Sequence, residues 1–142
     1  MWLIDTNVVS ELTRARPYQP VVDWLKEQDP SKICTSVIVI GEIRKGIAQL
    51  PVSDLRRERL ERWLKGLIDE HFAGRLRPVD LDIALRWGSL VGAARQKGIA
   101  VPVADGLIAA TALVYGDTIV TRDEKEFTRL GVSVVNPWMA QR

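Results

Sequence analysis

The sequence is poor in the residues from which several common kinds of site are built. Cys34 is the only cysteine and His71 the only histidine in 142 residues. One thiol excludes an intrachain disulfide, and the pair together cannot furnish a Cys- or His-rich metal centre. A Ser-His-Asp arrangement would have to depend on His71, and no nucleophile motif accompanies it, so His71 reads as a helix-end residue. A lone cysteine suits a reducing compartment, and a cytoplasmic location is the expectation. Long apolar runs are missing as well. No stretch approaches the roughly 18 residues of a membrane span, and the N-terminus lacks the basic and apolar regions of a secretory signal, so no membrane partner is expected. Neither sign of charge dominates: 20 basic against 18 acidic residues leave a formal net charge of +2. That balance permits a nucleic-acid partner without demanding one. What is present, 46% hydrophobic and 27% charged residues, suits one globular domain spanning 1–142 with its own core.

Short apolar runs alternate with helical patterns along the chain. Trp2 to Ile4 reads as a strand, followed by a helix through Glu11-Leu12 that Thr6-Asn7 can cap. Pro17 and Pro20 break it, and Val21, Val22, Trp24 and Leu25 mark a short amphipathic helix ended by Asp29-Pro30. Ile33 to Thr35 is the next strand, and Ser36 caps a helix with Val37, Ile40, Ile43 and Ile47 on its apolar positions. A longer helix begins near Ser53 and carries Leu60, Trp63, Leu64, Leu67 and Ile68 on one stripe. Its other faces hold Arg56, Arg57, Arg59, Arg62 and Lys65, the most basic segment of the chain. Leu76 to Val79 is a strand, Asp80 caps a helix that Gly98 ends, and Ala104 to Tyr115, with Asp105 in its first turn and no charge after it, suits a helix buried on most sides. Thr118 to Thr121 is a strand, a brief helix reaches Leu130, and Val132 to Val135 is the last strand. Such alternation implies an α/β fold, a mostly parallel sheet covered on both faces.

Four acids stand apart from the ordinary surface carboxylates. Asp5 ends a strand at the end of the sheet where ligands of open α/β folds bind. Glu42 is flanked by Ile38, Ile40 and Ile43, Asp105 precedes an uncharged helix, and Asp123 follows a strand. Taken singly, each has a plain explanation: an N-cap for Asp5, a surface pair with Lys45 for Glu42, the helix dipole for Asp105, and a turn or cap for Asp123. Taken together, carboxylates gathered in an apolar frame repel one another unless a cation sits between them. All-oxygen ligands suit Mg²⁺ or Mn²⁺, which keep waters and are completed by phosphate oxygens, and this points to phosphodiester chemistry.

The segments Leu3-Ile-Asp-Thr-Asn, Gly41-Glu-Ile-Arg-Lys-Gly, Ala104-Asp-Gly-Leu-Ile-Ala-Ala-Thr-Ala and Val120-Thr-Arg-Asp-Glu-Lys-Glu-Phe occur in this order. Together they resemble the PIN-domain family, in particular the VapC toxins of bacterial toxin–antitoxin pairs and their FitB-like branch, whose chains often end in a segment like Val134-Val-Asn-Pro-Trp. The resemblance covers essentially the whole chain. It implies a three-layer α/β/α fold around a central, mostly parallel sheet. It also implies a homodimeric Mg²⁺- or Mn²⁺-dependent endoribonuclease that cuts RNA, is inhibited by a cognate antitoxin protein, and meets operator DNA through that antitoxin.

Carried over position by position, the resemblance makes Asp5, Glu42 and Asp105 metal ligands, direct or through water, and Asp123 the fourth acid, at a position where relatives often have Asn. Thr6 and Thr121 match polar positions that orient acids or water, Thr121 the better of the two, whereas Asn7 reads as a helix-start residue. Arg44 and Arg122 adjoin site acids but are given structural roles first. The basic helix is read as a solvated face, with Glu58 and Glu61 pairing some of its arginines, ahead of an RNA-binding one. The five tryptophans read as core or interface packing, with Trp138 open to a dimer or antitoxin contact. Three alternatives remain at this point: an operator-binding component with little activity, a nuclease acting on DNA, and a phosphatase of the haloacid dehalogenase type. The last needs a second Asp where this chain has Asn7.

Overall fold

A computed structural model describes residues 1–139 of the chain. Five parallel strands, β1 (Trp2–Ile4), β2 (Ile33–Ser36), β3 (Leu76–Arg77), β4 (Thr118–Val120) and β5 (Val134–Val135), form one sheet in the order β3-β2-β1-β4-β5. Successive side chains of a strand point to opposite faces. Leu3 and Ile4 on β1, Cys34 and Thr35 on β2, and Ile119 and Val120 on β4 are all buried, so both faces of the central strands are covered. That is the three-layer architecture the alternating pattern implies, and the sheet is wholly parallel.

The helices are α1 (Thr6–Glu11), α2 (Gln19–Lys26), α3 (Val37–Ala48), α4 (Arg56–Gly66), α5 (Leu81–Gln96), α6 (Val103–Tyr115) and α7 (Glu124–Thr128). Ser36 and Asp80 cap α3 and α5 as their sequence positions suggest, accepting from the amides of Ile38 and Ile83 at 3.0 Å each. Where boundaries differ, local chemistry explains them. The basic helix starts at Arg56, because the Asp54 carboxylate is taken up by the Arg56 amide and guanidinium. That helix then passes at Leu67–His71 into a turn of π-helix, which periodicity does not reveal. The last strand is only Val134–Val135, since Val132 donates its amide back to the Phe127 carbonyl and closes the turn after α7. The strands expected at Leu76–Val79 and Thr118–Thr121 stop at Arg77 and Val120. Among the described residues, no helix is long and apolar enough to cross a membrane.

The strand order matters most for function. From β1 the chain winds outward to β2 and β3, then returns to the other side of β1 for β4 and β5. The winding direction reverses between β1 and β4, and at such a point loops diverge and leave a crevice beyond the carboxyl ends of the strands. Asp5 and Thr121 are the residues immediately after β1 and β4.

At the opposite end, Asp117 is buried and held by both nitrogens of an Arg77 fork at 3.1 Å each, with the Arg77 guanidinium 3.9 Å over the Tyr115 ring. Burial first, then the Asp117 charge, pushes the neighbouring Cys34 thiol up to about 11, so Cys34 is an inert core residue.

Helix α6 presents its first turn to the crevice because α5 packs closely against it. A Cβ on Gly106 would meet the Trp87 ring at 2.9 Å and Val91 at 3.0 Å. The Gly106→Ala variant gains about 1 kcal/mol of helix propensity but forces the Trp87 ring off a packed interface, a change that costs typically about 1–3 kcal/mol. A net loss of stability on urea denaturation is expected, and a more stable variant would show that this contact yields freely.

Candidate active site

Asp5 leaves β1 with its amide still in the ladder, donating to the Val120 carbonyl at 3.0 Å. Its side chain then turns to cap α1, Oδ1 accepting from the Thr6 amide at 2.8 Å. The expected cap and the expected site are therefore one carboxylate. Oδ2 accepts from the Thr121 hydroxyl at 2.7 Å. Asp5 is only 5% exposed. Burial pushes its pKa up to about 6, the bonds from Thr121 and Thr6 oppose that rise, and the negative charges of Asp105 and Glu42 add to it.

Thr6 ties the second acid to the first. Its hydroxyl donates to Glu42 Oε1 at 2.7 Å, so one residue bonds to Asp5 through its amide and to Glu42 through its side chain. Glu42 lies midway along α3, with Ile43 and Ile47 turned to the core. Asp105 stands in the first turn of α6. Its pKa is raised by burial and then by the charges of Glu42, Glu126 and Asp123, with Arg129 partly offsetting them. Asp123 occupies the N-cap position of α7 but makes no capping bond; its Oδ2 accepts from Asn7 Nδ2 at 3.2 Å. The fold thus brings Asp5, Glu42, Asp105, Asp123 and Thr121 to the carboxyl end of the sheet.

Two residues here are not read from the sequence as part of the site. Asn7, taken there for a helix-start residue, also bridges to Thr121 and Asp123. Glu126 adds a fifth acid near Asp105, and its spacing of three from Asp123 on a short helix is the signal that could have found it. Arg44 faces away, 3.4 Å from Glu61 on α4, and the Arg122 guanidinium lies 5.3 Å from the Trp138 ring centroid. The basic helix pairs much of its own charge, Arg57 with Glu61 and Arg62 with Glu58. Beside Thr6 and Glu42 a cavity of about 210 Å³ opens between α1, α3 and α4, with Trp63 and Arg56 in its wall. A more apolar cavity of about 290 Å³, walled by Ile4, Val9, Leu25 and Phe72, contains none of the acids.

The donor set fits a hard divalent cation. Among the described residues, Asp5, Glu42, Asp105 and Asp123 have no basic ion-pair partner, and Arg129 offsets only part of the repulsion at Asp105. Among those residues, too, no three acidic, histidine or cysteine side chains are gathered closely enough to chelate an ion unaided. Mg²⁺ and Mn²⁺ accept such open, carboxylate-lined sites because water and substrate oxygens fill the remaining positions.

The PIN domain model matches residues 2–132. The VapC ribonuclease Y4jK of Sinorhizobium fredii is 37% identical over 97% of this chain and 98% of its own. The toxin FitB of Neisseria gonorrhoeae is 38% identical over 97% of this chain and 99% of its own. Among solved structures, FitAB bound to an IR36 DNA fragment superposes with a TM-score of 0.88 at 36% identity, covering 97% of this chain and 96% of that one.

An acid whose pKa is higher folded, about 6 for Asp5, than unfolded, about 4, binds more protons in the native state between those values. Its contribution to stability is therefore present at low pH and lost as pH rises through about 6. For the cation-free protein the loss is on the order of 2–3 kcal/mol from pH 4 to 7, and Asp105 acts in the same direction. Denaturant melts of chelator-treated protein across that range should show stability falling. Asp5→Asn should flatten the slope; an equally steep slope in the variant would assign it elsewhere.

Proposed function

The chain belongs to the PIN-domain family, and from that premise we propose that it is a divalent-metal-dependent endoribonuclease, the toxin of a toxin–antitoxin pair. The observation that carries this reading is the coupling of Asp5 and Glu42 through Thr6, with Asp105 in range of both and no basic residue paired to any of them. An acidic cluster with a buried carboxylate, Asp5, among like charges has little value to the fold alone, since that carboxylate costs stability at neutral pH. It acquires a use when a cation and a phosphodiester come to it.

Asp5, Glu42 and Asp105 would hold the cation with water completing the set, and Asp123 and Glu126 extend the negative field on the α7 side. When bound, a cation of this type lowers the pKa of a water and neutralises charge that builds on the phosphate under attack. The rest is positioning by the protein. Thr121 fixes one oxygen of Asp5 and the Thr6 amide the other, which leaves a lone pair on each oxygen unused. Thr6 fixes Glu42 in the same way. The cavity beside Thr6 and Glu42 opens on the α3 side of the acids, with Arg56 and Trp63 in its wall.

RNA is the substrate, in keeping with the ribonuclease activity in the name of the Sinorhizobium relative. The antitoxin is the partner that inhibits the enzyme and carries it to operator DNA, the kind of assembly represented by FitAB on DNA. The working form is a homodimer in the cytoplasm.

Purified, partner-free protein should cleave total RNA with Mg²⁺ or Mn²⁺ and stop when EDTA is added. Asp5→Asn and Asp105→Asn each remove a contribution worth several kcal/mol of transition-state stabilisation, so cleavage rates should fall on the order of 10³-fold. Intact RNA in both metals, or toxicity retained by Asp105→Asn, would instead favour an operator-binding role with little catalysis.

A further inference from the structure

The Thr121 hydroxyl is the only side-chain donor to Asp5 among the described residues, and something must aim its proton. Thr121 Oγ1 has three neighbours: Asp5 Oδ2 at 2.7 Å, the Asp123 amide nitrogen at 3.0 Å and Asn7 Nδ2 at 3.1 Å. Both nitrogens are donors, and a hydroxyl oxygen has two lone pairs. With those filled, the proton has one direction left, toward Asp5. Remove the Asn7 donor and the hydroxyl regains freedom to rotate away.

The orientation of the Asn7 amide is itself determined by its surroundings. Its oxygen meets the Arg122 amide at 3.3 Å, which can only donate, and its nitrogen meets the Asp123 carboxylate at 3.2 Å, which as an anion can only accept. A flipped amide would oppose both. One side chain on the first turn of α1 therefore grips the turn after β4 at residues 121, 122 and 123. Asp123 is exposed and makes no capping bond on its own helix, so the Asn7 bond is its recorded side-chain anchor.

We infer that Asn7 is a positioning residue of the site: its amide orients the Thr121 hydroxyl onto Asp5 and holds Asp123 toward the same crevice, so that cation binding depends on Asn7 although Asn7 need not touch the cation. The inference rests on the metal-dependent reading proposed above. It assigns to a neutral amide a role that neither charge nor burial would suggest, because Asn7 acts only through the groups it touches.

The test is Mn²⁺ binding to the full-length protein, followed by the electron paramagnetic resonance signal of free Mn²⁺ and independent of RNA cleavage. Groups that orient metal ligands typically influence affinity by about 10–100-fold, so Asn7→Ala should weaken binding roughly tenfold. Thr121→Val, which removes the hydroxyl and keeps the shape, should weaken it comparably. Because Asn7 acts largely through that hydroxyl, adding Asn7→Ala to Thr121→Val should cost no more than about a further twofold. A general loosening of the fold would not produce this coupling. Wild-type affinity in Asn7→Ala, or full additivity in the double variant, overturns the inference. If Asn7→Ala does not fold, Asn7→Ser, too short to reach both partners, carries the same expectations. Asp5→Asn separates the two claims. Loss of Mn²⁺ in Asp5→Asn with wild-type binding in Asn7→Ala removes only the role of Asn7, whereas unaltered binding in Asp5→Asn removes the metal reading and this inference together.

Discussion

The burial of the Asp5 carboxylate is the constraint on which the carboxyl end of the sheet depends. A charge taken out of water must be bonded or neutralised, and the fold does only the first. Thr6 and Thr121 satisfy one lone pair on each oxygen, yet the nearest charges, Asp105 and Glu42, are of the same sign. The structure around Asp5 keeps a carboxylate well oriented and poorly compensated. That combination suits a cation, and it sits at the centre of the candidate site.

The orientation of Asp5 is set by bonds that belong to ordinary secondary structure. The Thr6 amide that caps against Asp5 is the first amide of α1, and the Asp5 amide is a rung of the β1–β4 ladder. Helix α6 brings Asp105 in at its first turn because Gly106 lets Trp87 and Val91 approach. Loosening any of these elements would move a carboxylate of the candidate site. The Arg77–Asp117 pair at the opposite end shows the contrast: there an acid of similar burial receives its positive charge from a half-buried arginine of the protein itself.

Particular residues show why part of this was legible in the chain. Asp5 and Asp105 each adjoin an uncharged run, and Asp123 follows the strand Thr118 to Thr121 with only Arg122 between; carboxylates in such settings are visible without coordinates. Glu42 was visible for its isoleucine neighbours, though its alternative as a partner of Lys45 was equally local and only the structure removes it. Asn7 and Glu126 were not legible as site residues. An asparagine after a helix cap has a sufficient local reason to be there, and Glu126 sits among Glu124 and Lys125 like any solvated helix residue. The π-helical turn at Leu67–His71 escaped for a related reason: one extra residue in a turn leaves the apolar stripe nearly intact.

The sequence by itself determined the alternation of strands and helices and the positions of the caps at Ser36 and Asp80, because these depend on residues within a few positions of one another, and it singled out the four acids as candidates. The tertiary structure alone decided that β4 lies beside β1 rather than beyond β3. From that adjacency follow the bonds from Thr121 to Asp5, 116 positions apart, and from Asn7 to Thr121, 114 apart. Hydrogen bonds of 2.7 to 3.1 Å between such distant residues are set by strand order, and strand order is a property of the whole sheet that no local pattern encodes.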